Sequence, residues 1–300
     1  MKIPLRIAPF FLALVLGYFF FTSYKLKKND TFSIEAISSN RPFDPAWEVR
    51  PLSPRELTEI DLALSQPYRY FGKGGQCYAF FSEDGKYVLK FFKQRLYKAP
   101  SWHKWLAVPF LFDRYKEKKK LRREKKKIRD FFSYKTAFED LQEISGVLYT
   151  HLNPTDHLKK SVTLIDLLQK EHHLDLNQFN FILQKRGEMV YPQILRLLEN
   201  KQKEQAKKII DQILDLVVLR CQKGYEDWDP QILTNCGLLE TQAMKIDVGR
   251  FIYNESMKTP ICLQQELDRI FKPFQAWLSE QDEELASYCD LKVQSYQKVL

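Results

Sequence analysis

Apolar and polar positions change rhythm several times along this chain, and each change predicts an element. Residues 7–23, from Ile7 to Ser23, carry no charge and are mostly apolar, seventeen residues in all. That is the short end for a membrane-spanning helix. The pattern predicts an N-terminal transmembrane or signal helix over 1–28, although "YFFFTSYK" offers no small-x-small cleavage site. Residues 29–66 read as a linker leading into a short helix. There "SPREL" places Ser53 at the N-cap, Pro54 at N1 and Glu56 at N3. Alternation over 67–93, broken at Gly and Asp-Gly, predicts strand, turn and strand.

Helical spacing returns over 131–152, where Tyr134, Ala137, Phe138, Leu141, Ile144, Leu148 and Leu152 form one stripe. "SVTLID" at 161–166 and "FNFILQKRG" at 179–187 predict strands, and 192–221 predicts a helix. "QILTN" and "AMKIDVG" are strand-like, and helices fill 261–299. Strands first and helices later predict an α+β chain of two unequal lobes, 67–190 and 191–300, the first interrupted by an insertion at 93–130.

Composition alters this picture at two points. The five cysteines, Cys77, Cys221, Cys236, Cys262 and Cys289, are scattered without a CxxC pair, so neither a zinc knuckle nor a disulfide framework is indicated. The net charge of +9 is local. From Lys90 to Arg129 there are sixteen Lys or Arg and three acids, an excess of thirteen, which leaves −4 for the remainder. Trp102, Trp105, Leu106, Phe110 and Phe112 lie beside that basic run. The segment suits an anionic membrane surface, or the phosphates of a nucleic acid, or simply a solvated helical insertion. His103, His172 and His173 have no partner spacing and read as surface residues.

Two stretches carry candidate chemistry. "YFGKGGQCYAFFSEDGKYVLKFFK" holds Gly72, Gly74 and Gly75 at one bend and Lys90 in the following strand. Glycines let a backbone approach phosphates closely, and a lysine on the next strand supplies a point charge. A plain hairpin with Gly and Asp-Gly turns fits the same letters. "KGYEDWDPQILTNCGLLETQAMKIDVGRF" contains Asp227, Asp229, Asn235 and Asp247. An amide oxygen and a carboxylate on adjacent hairpin arms are hard ligands suited to Mg²⁺, and a preceding aspartate can take a hydroxyl proton. Two surface turns and a strand-end acid are the bland alternative.

In this order the segments resemble the protein-kinase-like superfamily, which includes protein kinases, small-molecule phosphotransferases and divergent bacterial relatives. "FGKGGQCYAF" looks like a glycine-rich loop, "YVLKFFK" like the lysine strand, "YEDWDPQILTN" like a catalytic loop and "KIDVG" like the metal-binding segment. The resemblance covers roughly 67–280 and implies a bilobal kinase-like fold using ATP and Mg²⁺. It implies that Gly72, Gly74 and Gly75 cover phosphates, that Lys90 binds them, and that Asn235 and Asp247 hold metal. Asp227 or Asp229 would be the catalytic base, and Glu143, or Glu139 one turn earlier, the partner of Lys90. The sequence departs from the pattern at Cys77, where a third glycine is expected, and in loop length, since Asn235 follows Asp227 by eight residues and Asp229 by six. No A-P-E segment is found. These expectations describe a membrane-anchored kinase acting on an unidentified hydroxyl, its body cytoplasmic rather than secreted or periplasmic. A pseudokinase scaffold, or a tethered lipid- or nucleic-acid-binding protein, is the alternative.

Overall fold

The computed structural model describes residue 18 and residues 31–98 and 113–298. The chain divides into two compact units, Met1–Ala36 and Ile37–Leu300. In the first, Ala36 N donates to Ser33 O at 3.1 Å at the start of a helical turn. The single N-terminal membrane span expected from 7–23 is corrected: among the described residues no helix is long and apolar enough to cross a membrane. Apart from Tyr18, that stretch lies outside the described residues, as does 99–112 of the insertion.

The second unit opens on α1 (Pro54–Leu64), capped as its letters require. Ser53 Oγ accepts from Glu56 N, and the Glu56 carboxylate accepts from Ser53 N. Three antiparallel strands follow, β1 (Tyr68–Lys73), β2 (Cys77–Ser82) and β3 (Tyr87–Phe92). The basic run then forms α2 (Asp113–Glu139), with twelve Lys or Arg against five acids. This helix ends before the apolar stripe does, so Leu148 lies in β4 (Val147–His151) and Leu152 just beyond it. α2 ends at Glu139 and a separate helical turn spans Gln142–Ser145; Gly146, at φ 61° and where a Cβ would lie 2.8 Å from Met244 Cε, then turns the chain into β4. Apolar spacing alone does not register such a turn.

β5 (Ser161–Ile165) and β6 (Glu171–Asp175) form a hairpin of which only the first strand was expected, and β7 (Phe181–Lys185) returns between β3 and β4. His172, expected to be unpartnered, lies 2.9 Å from Asp166 Oδ2. The sheet order is β4-β7-β3-β2-β1-β5-β6. Leu89, Phe91, Phe181 and Leu183 are fully buried in it. Each such side chain contributes roughly 1.5–3 kcal/mol by leaving water.

β8 (Glu188–Met189) leads into the helical half. The helix expected over 192–221 is two, α3 (Val190–Glu199) and α4 (Lys203–Gln222), divided at Lys201 with φ 58°. β9 (Tyr225–Asp227) carries the first candidate aspartate. "QILTN" is a helical turn, Ile232–Asn235, rather than a strand, and it feeds β10 (Cys236–Leu239) and β11 (Gln242–Lys245). β12 (Phe251–Tyr253) pairs with β9, and α5 (Pro260–Gln281) and α6 (Glu283–Lys298) complete the chain. A second core joins α3 through α6, built on Ile194, Ile210, Ile213, Leu267, Phe271 and Leu278. The chain is therefore mixed α+β, with a sheet-rich and a helical half.

Candidate functional site

Gly72, Gly74, Gly75, Lys90, Asp229 and Asp247 all line one cavity of about 770 Å³. Asp227, Asn235 and Glu143 do not line it. Gly72 lies within β1 opposite Ala79 and only Gly74 and Gly75 stand in the turn; at each of the three an added Cβ meets no atom within 4 Å. Packing within the chain therefore does not require glycine there; the open space beside the backbone belongs to the cavity.

The turn is held from beneath. Gly74 N donates to Cys77 O at 2.9 Å, and the buried Lys93 donates through Nζ to Gly74 O at 2.7 Å. Gln76, next in the chain, is buried and reaches out of the sheet. Its Nε2 donates to Gly249 O at 3.1 Å, and its Oε1 accepts from Tyr134 Oη at 2.7 Å. A Cβ on Gly249 would lie 2.1 Å from Gln76 Oε1 and 2.8 Å from Tyr134 Oη, so any larger residue there must displace these two side chains. On α2, Ser133 Oγ donates to Val248 O at 2.5 Å and accepts from Phe251 N at 2.6 Å. The segment following Asp247 is thus clasped by the glycine turn and by α2. Cys77, the position of the missing glycine, is buried at the start of β2, and burial pushes its thiol up to about 12.

Lys90 pairs across the sheet with Ala79 and Ile182. Its ammonium donates to Gln184 Oε1 at 2.7 Å and to Ile246 O at 2.9 Å. Burial lowers its pKa, which the Asp247 charge partly offsets. The helix carboxylate expected beside it is elsewhere. Glu143 pairs with Lys223, and Glu139 accepts from Arg50 N at 2.7 Å. Gln184 was not singled out in the sequence; its signal was a lone amide in the apolar run "FILQK".

The two candidate aspartates differ sharply. Asp227 is 2% exposed and its Oδ2 lies 2.6 Å from Lys245 Nζ, while its Oδ1 accepts from Asp229 N at 2.8 Å. Asp229 faces the cavity, and its carboxylate accepts no hydrogen bond among the described residues. Its carbonyl receives Lys245 Nζ at 2.8 Å and Asn235 Nδ2 at 2.7 Å. Asn235 is buried, and its own carbonyl accepts from Ile246 N at 2.7 Å, one ladder step from Asp247. Helices steady the same loop: Arg220 donates to Tyr225 O at 3.2 Å and Arg269 to Asp227 O at 2.7 Å. The buried Glu266 holds both guanidiniums, at 2.6 Å from each.

Among the described residues no group of three or more His, Cys, Asp or Glu could hold a metal. Of the two expected oxygen donors, Asp247 lines the cavity and the buried Asn235 does not; a single cavity-facing carboxylate suits Mg²⁺, which keeps several waters and takes one or two carboxylates along with substrate phosphates.

No protein-family model and no curated protein matches the sequence. Among solved structures, the chain is similar to WbdD at 16% identity and TM-score 0.37, covering 76% of this chain and 46% of that one. Another WbdD structure, described as a bifunctional kinase-methyltransferase, matches at 15% identity and TM-score 0.33, covering 90% and 49%. The Rv3197–erythromycin complex from Mycobacterium tuberculosis matches at 11% identity and TM-score 0.32, covering 69% and 54%. The chain spans about half the length of these structures. At such identities they assign no residue. What the chain itself shows is a seven-stranded sheet in the order β4-β7-β3-β2-β1-β5-β6, with glycine turn, lysine strand and strand-end aspartate meeting at one cavity.

Proposed function

We propose that this protein binds Mg·ATP beneath the glycine turn and transfers the terminal phosphoryl group to a hydroxyl acceptor. The observation that carries this reading is the convergence of Gly72, Gly74, Gly75, Lys90, Asp229 and Asp247 on a single cavity. The turn backbone, apart from the Gly74 N–H held by Cys77 O, offers its N–H groups to phosphate oxygens with no Cβ in the way. Lys90 directs one ammonium at the same oxygens. Asp229, not Asp227, serves as base. Its carboxylate is unengaged and cavity-facing, whereas that of Asp227 is held by Lys245. Asp229 takes the proton of the acceptor hydroxyl as that oxygen forms its bond to phosphorus, and the bond from phosphorus to the leaving ADP oxygen breaks. Asp247 would hold Mg²⁺ at the cavity wall, while Asn235 steadies the loop by donating to Asp229 O; the ion when bound neutralises charge on the phosphates.

The test is γ-phosphate consumption and transfer by the full chain, by Asp229→Asn and by Asp247→Ala. Loss of a positioned base removes about 10²–10⁴-fold of rate. Activity retained in both variants would refute these roles. A second reading, a nucleotide-binding scaffold without transfer, is supported by the amide rather than carboxylate partner of Lys90. Nucleotide binding with no transfer to any hydroxyl offered selects it.

A further inference from the structure

Gln184 is fully buried, and each of its polar atoms is engaged. Oε1 accepts from Lys90 Nζ at 2.7 Å, while Nε2 donates to Ser145 O at 2.7 Å and Lys245 O at 3.1 Å. It lies opposite Val88 in the β3–β7 ladder, two residues from Lys90 and therefore on the same face. No carboxylate lies within ion-pair distance of Lys90 among the described residues, and Ile246 O is the other acceptor of its ammonium. Lys245, whose carbonyl Gln184 holds, in turn holds Asp227 and the Asp229 carbonyl. One chain of hydrogen bonds therefore runs from the lysine strand to the loop beneath the cavity.

We infer that Gln184 is the positioning residue for Lys90: its amide oxygen sets the ammonium toward the cavity, in the role otherwise expected of a helix carboxylate. The inference rests on the nucleotide reading above. An acceptor is what Lys90 needs from this position, and either an amide or a carboxylate oxygen supplies one. The two N–H donors of Gln184 are a separate, structural contribution.

Affinity for Mg·ATP separates these contributions when measured on the full chain, Lys90→Ala, Gln184→Leu and Gln184→Glu. The expected result is about tenfold weaker binding for Gln184→Leu, approaching Lys90→Ala, with Gln184→Glu, which loses both donors to Ser145 O and Lys245 O but keeps an acceptor for Lys90, falling between Gln184→Leu and the parent. Equal losses in both Gln184 variants, or none in Gln184→Leu while Lys90→Ala weakens binding, overturn the inference and leave the nucleotide site standing. No change in Lys90→Ala overturns the nucleotide reading itself, and this inference with it. Labelling of Lys90 by an amine-reactive ester, read by mass spectrometry, decides the case where Gln184→Leu does not fold. A carboxylate at that position favours the charged ammonium, so Gln184→Glu slows labelling about threefold or more. An unchanged rate would place Lys90 out of reach of residue 184 in solution.

Discussion

Lys245 Nζ lies 2.6 Å from Asp227 Oδ2, and both side chains are buried. Removing one partner of such a pair strands the other charge and costs about 3–5 kcal/mol. Asp227→Ala is therefore expected to lower the denaturant midpoint strongly, whatever its effect on activity. Asp229→Asn, on a half-buried carboxylate with no hydrogen bond to lose, is expected to shift stability by less than about 1 kcal/mol. Equilibrium unfolding of the two variants checks the division of labour; equal shifts would contradict it.

The glycines divide in the same way. Gly75→Ala adds a methyl group to open space and is expected to leave the melting temperature within about 2 °C while weakening nucleotide binding. Gly249→Ala pushes a methyl group into Gln76 Oε1 and Tyr134 Oη, at an overpacking cost of about 1–3 kcal/mol. Thermal melting of both, with and without Mg·ATP, reads the difference.

His151 sets a pH dependence. Its Nδ1 lies 2.7 Å from Phe179 O and its Nε2 3.0 Å from Thr155 Oγ1, and burial lowers its pKa to about 4. The ring stays neutral in the fold, whereas the unfolded histidine takes a proton below the ordinary value of 6.5. The unfolded state then binds more protons, so stability falls as pH drops from 6.5 toward 4, by roughly 3 kcal/mol in all. Unfolding midpoints of the parent and His151→Gln between pH 7 and 4.5 check this. The parent is expected to lose more than the variant.

The segments that repeat a local rule were legible in the chain. Ser53, Pro54 and Glu56 announced a capped helix, and the glycine bend, Lys90 and Asp247 announced the walls of a cavity. What stayed hidden depends on long-range partners. Nothing local distinguishes Asp227 from Asp229, because the difference lies in Lys245, sixteen or more residues away, folding back onto one of them. Glu143 looked like the lysine's partner on sequence order, yet it turns to Lys223, and an amide from β7 takes its place. The apolar stripe through Leu148 and Leu152 reads as helix because strand and helix both bury leucines; Gly146 turns the chain into β4.

The central claim is that the cavity beneath the glycine turn is a Mg·ATP site, and calorimetric titration of Mg·ATP into the full chain and into Lys90→Ala tests it most directly. Saturable binding by the parent, weakened about tenfold or more in the variant, is the predicted result. Absence of binding, or equal affinity in both, would contradict it.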